Sequence, residues 1–233
     1  MRYLPHLLLL AAAAGLAGHH ARAAPTVVLQ AGLGDGQSAW HPILPGLAAR
    51  GPVFAFDRPG YGGQAAVDGP RDPCTIAREQ HALLERQGIA PPYLLVGHSL
   101  GGLYQYVFAR LYPNEVAGMV LLDPTHPRHL ATLQQEAPAM AALAKTVHTL
   151  TPNGTMRREF RDQAVCLETL DASQPIAAPV RLLTSGKGTV LPHLRSDWQR
   201  LTGAPKVETF EQSGHYLQRD VPDEVVRAID SLR

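Results

Sequence analysis

The strongest constraint on this chain is a repeated alternation. Six short apolar runs, Thr26–Gln30, residues 53–57, 93–96, 119–123 and 180–184, and Val207–Phe210, are separated by longer stretches with helical spacing. Within most runs the apolar residues follow one another instead of alternating with polar ones, and turn residues come next. A strand that is apolar on both faces must be covered on both faces, as in a parallel sheet sandwiched by helices. The intervening stretches supply the cover. Residues 75–87 place Ile76, Leu83 and Leu84 on one face, and 103–112 is largely apolar. Residues 221–232 carry Pro222 at an early helical position, followed by Val225, Val226 and Ile229. The pattern predicts an α/β fold with a mostly parallel sheet of about six strands flanked by helices.

One stretch breaks the rhythm. Residues 125–178 hold no strand-like run, are rich in Ala, Leu, Gln and His, and are interrupted by Pro127, Pro138, Pro152 and Pro175. They are expected to form a small helical cap insertion, which divides the core into residues 24–124 and 179–233. The first 23 residues read as a signal peptide: Arg2, an apolar run over 7–18, then Ala21-Arg22-Ala23 before the cleavage point. That run falls short of the roughly 20 residues a membrane-crossing helix needs. No later run is long enough either, so no transmembrane segment is expected after cleavage. The expected location is exported, periplasmic or secreted.

Export gives the cysteines a meaning. Cys74 and Cys166 are the only two in the chain. An even pair in an oxidising compartment suggests one disulfide. Charge excludes another class: 21 Lys and Arg against 20 Asp and Glu give a net charge of +1, without the basic excess that nucleic-acid binding uses. No metal site is expected, since His126 and His129 have i, i+3 spacing but no partner motif. No cofactor is expected.

The chemistry concentrates in Gly97-His98-Ser99-Leu100-Gly101, a G-x-S-x-G pattern. A nucleophilic serine on a tight strand-to-helix turn needs small residues two before and two after it, because backbone crowds those positions. The pattern follows the apolar run 93–96 and precedes a helix, the context such a turn requires. A helix starting at Leu100 would aim its N–H groups at the reacting centre.

With three further landmarks in order, the chain resembles the α/β-hydrolase superfamily. Ala31-Gly32-Leu33-Gly34 stands where that family places its oxyanion loop. Asp57-Arg58-Pro59-Gly60-Tyr61-Gly62 resembles its D-x-P-G-x-G turn, and Ser213-Gly214-His215 resembles its histidine-bearing segment. The landmarks span residues 26–233. One departure is that the mature chain expected after cleavage has no room for the family's N-terminal strand hairpin.

The resemblance implies a Ser–His–acid triad with Ser99 as nucleophile and His215 as general base. The acid has two candidates. The usual position, after the 180–184 strand, reads Ser185-Gly186-Lys187-Gly188-Thr189 and has no carboxylate. Asp123, at the end of the preceding strand, is the favoured acid; Asp197, further along and expected on a helix, is the alternative. The implied oxyanion hole is the pair of backbone N–H groups of Leu33 and Leu100. Trp40, His98 and Tyr104 are candidate pocket residues, with plain packing as their competing role. The expectation is a serine hydrolase of carboxylic esters taking a small-molecule acyl substrate. Lipase, thioesterase and peptidase branches, and a non-catalytic binding protein on the same fold, stay open.

Overall fold

The computed structural model describes residues 24–187 and 191–233. The expected signal peptide, residues 1–23, lies outside the described residues. In chain order the strands are β1 (Thr26–Gln30), β2 (Val53–Ala55), β3 (Tyr93–His98), β4 (Val116–Leu122), β5 (Val180–Ser185) and β6 (Val207–Phe210). The helices are α1 (Leu44–Ala48), α2 (Pro73–Arg86), α3 (Leu100–Leu111), α4 (His129–Glu136), α5 (Pro138–Leu150), α6 (Gly154–Asp162), α7 (Leu194–Thr202), α8 (Leu217–Asp220) and α9 (Pro222–Asp230).

The six strands form one sheet in the order β2-β1-β3-β4-β5-β6, and every neighbouring pair is parallel. Successive residues of the central strands feed opposite layers. Val28, Leu95, Leu121 and Leu182 pack towards α2, α3 and Trp198. Val27, Leu29, Leu94, Val96, Val120 and Leu183 pack with Leu47 of α1 and Val225 and Ile229 of α9. This two-sided burial is the reason the runs are continuously apolar.

Some elements differ from the sequence pattern for visible reasons. The 53–57 run is strand only over Val53–Ala55. Beyond it the Asp57 carboxylate accepts the Gln37 backbone N–H at 2.7 Å and its side-chain amide at 2.8 Å, which turns the chain away from the sheet. Helix α2 starts earlier than the apolar spacing suggests, because Asp72 caps it by accepting from the Cys74 and Thr75 N–H groups, with Pro73 at the first helical position. Residues 125–178 contain α4, α5 and α6 and, among the described residues, no strand.

Cys74 at the start of α2 and Cys166 just after α6 form a disulfide across 92 residues of sequence. It ties the helical segment to the body of the protein. Closing a loop of this length stabilises the folded state by about 4–5 kcal/mol in the chain-entropy model. Reduction, or Cys74→Ala with Cys166→Ala, is therefore expected to lower Tm by about 10 °C in a domain of this size. A thermal melt with and without reductant checks this; coincident melts would contradict it.

Candidate active site

Ligand sites in open parallel sheets form beyond the carboxyl ends of the strands, where strand order reverses. Here the reversal falls between β1 and β3, which pair in register from Thr26↔Tyr93 to Gln30↔Gly97. The loop after β1 and the turn after β3 therefore emerge side by side. They carry Leu33 and Ser99.

Ser99 has φ 54° and ψ −122°, a backbone conformation rare for any residue with a side chain. Such strain costs about 1–3 kcal/mol and persists only where neighbours enforce it. Its N–H donates to the Leu122 carbonyl at 3.0 Å, and its own carbonyl accepts from the Gly102 and Thr125 N–H groups, each at 2.9 Å. Crowding explains the small flanking residues: a Cβ at position 101 would collide with the Gln30 carbonyl. A Cβ at position 32 would lie 3.1 Å from the Ser99 Cβ, so the Gly32–Leu33 loop passes directly over the serine. Leu100 opens α3 directly after it. Its N–H belongs to the first helical turn, which has no acceptors inside the helix.

The strand ends bring a carboxylate and an imidazole together. Asp123 follows β4, also at positive φ (43°), and its N–H donates to the Leu183 carbonyl at 2.8 Å. One carboxylate oxygen, Oδ2, is 2.7 Å from His215 Nδ1. The same oxygen accepts from the Ser185 hydroxyl at 2.8 Å, and Oδ1 accepts from the Ser185 N–H at 3.2 Å. Burial alone would raise the Asp123 pKa, but hydrogen bonds and charge from His215 and Ser185 outweigh it and hold the carboxyl below its ordinary value. Ser185 has no chemical signature of its own in the sequence. Its place at the end of β5, next to β4, is the signal that identifies it as the group holding the Asp123 carboxylate.

Asp197 lies elsewhere. It sits on α7, where it accepts from Arg128 at 2.7 Å and Arg200 at 2.8 Å, and lies 3.0 Å from His126 Nε2. Trp40 is fully buried in the layer with α1 and α9. Tyr104 is fully buried on α3, its ring 5.3 Å from the Arg58 guanidinium.

His98, just before Ser99, is buried and locks the histidine segment in place. Its Nε2–H donates to the His215 carbonyl at 2.9 Å, and the two rings are 4.6 Å apart. Burial, then the charge of His215, lowers its pKa to about 3. Burial likewise takes His126 to about 4, against the opposing charge of Asp197. Both rings are neutral in the folded protein. In the unfolded chain each takes up a proton near 6.5, so below that pH protons favour unfolding. The stability they contribute is complete above about pH 6.5 and declines as pH falls towards the folded values. For His98 the loss is up to about 1.4 kcal/mol per pH unit. The urea midpoint is expected to drop between about pH 6.5 and 4.5, and His98→Gln should flatten that dependence by about one proton. A midpoint independent of pH in both proteins would contradict this.

A cavity of about 160 Å³ adjoins the acid–histidine pair, lined by His129, Leu191, Leu194 and Trp198 together with Asp123 and His215. The His215 side chain is 47% exposed, so the site is open to solvent on that side.

A family model described as the alpha/beta hydrolase family matches residues 27–228. The uncharacterized protein YqjL of Bacillus subtilis is 32% identical over 99 residues, covering 42% of this chain and 39% of that protein. The (lyso)-N-acylphosphatidylethanolamine lipase of Mus musculus is 34% identical over 102 residues, covering 42% of this chain and 30% of the lipase. The matched part thus spans well under half the length of these curated relatives. The solved structure of a thermophilic esterase from Thermogutta terrifontis superposes with a TM-score of 0.67 at 19% identity, covering 90% of this chain and 89% of that one. That likeness concerns the fold. The family match runs from β1 into α9 and takes in the sheet, the strained serine turn and the histidine loop together, and on that ground the chain belongs to the alpha/beta hydrolase family.

Proposed function

We propose that this protein is an exported serine hydrolase that cleaves carboxylic esters, with Ser99, His215 and Asp123 as its triad. The observation that carries the reading is the 2.7 Å contact between His215 Nδ1 and Asp123 Oδ2, beside a serine in strained backbone at the head of α3. Asp123 fixes the ring so that Nε2 is the nitrogen offered to the serine hydroxyl. Ser99 Oγ attacks the acyl carbonyl as His215 takes its proton. The developing oxyanion is held by the Leu33 and Leu100 N–H groups, in a role for which one donor contributes about 10²–10³ in turnover. The imidazolium then gives its proton to the departing alcohol, leaving an acyl-serine. Water activated by His215 releases the acid and restores the enzyme.

Several features support the finer points. A serine at the elbow suits acyl transfer, whereas the family's epoxide and haloalkane branches need a carboxylate nucleophile there. A protein similar in sequence over 102 residues is a (lyso)-N-acylphosphatidylethanolamine lipase. The modest cavity beside His215 favours a small acyl or alcohol group. The Cys74–Cys166 bond and the signal-like residues 1–23 support export. A fluorophosphonate probe with peptide mapping, alongside hydrolysis of p-nitrophenyl acetate and butyrate, tests the reading. An adduct on Ser99 with ester turnover is expected. Neither adduct nor turnover would leave the non-catalytic binding protein in its place.

A further inference from the structure

A buried ionic cluster joins the helical segment to the loop over Ser99. Arg58, in the turn after β2, is 3% exposed, and Glu159 of α6 is fully buried. The guanidinium meets the carboxylate in a two-pronged pair, Nε to Oε1 and Nη2 to Oε2, each at 2.9 Å. Two further donors go to two backbone carbonyls of the loop after β1: Nη1 to Ala31 O at 2.7 Å and Nη2 to Gly32 O at 2.8 Å. Tyr61 donates its hydroxyl to Glu159 Oε2 at 2.8 Å, and Arg58 lies over the Tyr61 ring at 4.7 Å. Arg71, also fully buried, stands 3.9 Å from Glu159 and pairs with Glu79 at 2.6 Å. The turn and the helix are in contact again at Gly60, whose carbonyl accepts from Asn153 Nδ2 at 3.2 Å.

The directions of these bonds matter. Residues 31 and 32 lie immediately before Leu33, and Gly32 is the residue against the Ser99 side chain. Pinning the Ala31 and Gly32 carbonyls on Arg58 fixes the orientation of the peptide planes that carry the Gly32 and Leu33 N–H groups. Burying an arginine and a glutamate is expensive, and for stability alone an apolar pair of similar volume commonly serves as well or better. A guanidinium, however, can hold a carboxylate and two carbonyls at once in fixed planar geometry, which neither an apolar residue nor lysine can do.

We propose that Arg58, oriented by Glu159, is a positioning residue that sets the Leu33 N–H of the oxyanion hole, so that α6 controls the catalytic geometry without touching substrate. This rests on the reading of Leu33 as an oxyanion donor in an ester hydrolase. It makes the helical segment part of the catalytic support as well as a cover. It also gives the Cys74–Cys166 bond a second consequence, since the bond anchors the chain just beyond α6.

Two variants test it. Arg58→Met with Glu159→Leu replaces the ion pair by apolar groups of similar size, a change that buried ion pairs often tolerate without loss of stability. Glu159→Gln keeps the shape and removes only the charge. In both, kcat for a p-nitrophenyl ester is expected to fall about 10–100-fold with KM changed less than about threefold, as for a displaced transition-state contact. The discriminating readout is a thionoester, whose sulfur is too large and too weak an acceptor for an oxyanion hole. The wild-type preference for the oxygen ester should shrink about tenfold in the variants, because they have lost the interaction that the sulfur cannot use. Hydrogen exchange over residues 31–36 reads the same clamp with no substrate present and should accelerate in both variants. If either variant folds and keeps both the wild-type ester preference and the wild-type exchange rates, the proposal is overturned. A fall in kcat with the ester preference unchanged also overturns it. The two readings fail separately: unchanged exchange in the variants defeats the clamp, whereas absence of wild-type ester turnover and of Ser99 labelling defeats the hydrolase.

Discussion

Ser99→Ala is expected to abolish fluorophosphonate labelling and to reduce ester turnover by about 10⁴–10⁶, leaving only what the oxyanion donors and binding contribute. The fold should survive, because the hydroxyl makes none of the contacts that hold the turn. Those contacts are made by the backbone: the Ser99 N–H to Leu122, and its carbonyl with Gly102 and Thr125. Alanine has a Cβ as serine does, so the cost of φ 54° is already present in the wild type. Far-UV circular dichroism and a melt within a few degrees of wild type, combined with no labelling and background turnover, is the expected outcome. Near-normal ester turnover in the alanine variant would remove Ser99 from the mechanism.

Asp123→Asn is the second large effect, with an expected loss of about 10⁴ in turnover, the scale of the corresponding change in a well-studied Ser-His-Asp enzyme. Asparagine keeps the size but offers either an amide N–H or a neutral carbonyl at 2.7 Å from His215 Nδ1, where an anion now stands. The ring can then settle with its proton on the nitrogen that must receive the one from Ser99. The imidazolium formed during attack also loses its counter-charge. Ser185 would keep hydrogen-bonding partners at the new amide, so the strand ends should stay in place. Asp197→Asn serves as the comparison. Its contacts to Arg128 and Arg200 are on exposed side chains of the latter two residues, and their loss is expected to leave turnover within about twofold. Equal losses for the two substitutions, or full activity in Asp123→Asn, would show that the acid is wrongly assigned.

Much of the architecture is legible in the sequence because it depends on near neighbours. The strands β1 and β6 have the bounds that their sequence runs have; β1, buried on both faces, needs no information beyond its own composition, whereas β6 is a half-buried edge strand. The serine turn is legible as a motif: Gly97 is required by the Gly101 and Gly102 backbone a helical turn further on, and Gly101 by the Gln30 and Ala31 carbonyls at the end of the neighbouring strand. Helix α2 and strand β4 are recognisable, but their starts are displaced, because a cap at Asp72 and pairing with β3 extend them beyond the apolar stretch.

What the sequence does not carry is the set of meetings between distant residues. Strand position ranks Asp123 ahead of Asp197, but the distance to His215 follows from the register of β4 on β5 and from the loop after β6. Ser185 gains its role only because β5 lies beside β4. Arg58 and Glu159, 101 residues apart, look in the sequence like an arginine in a turn motif and a glutamate on a charged helix. Only the packing of α6 on the turn after β2 removes both from water. The period of a strand is imposed by atoms a few bonds away, and the small residues of the tight turn by the helix it opens and the one strand beside it. The partner of a buried charge is chosen by which surfaces the whole fold presses together.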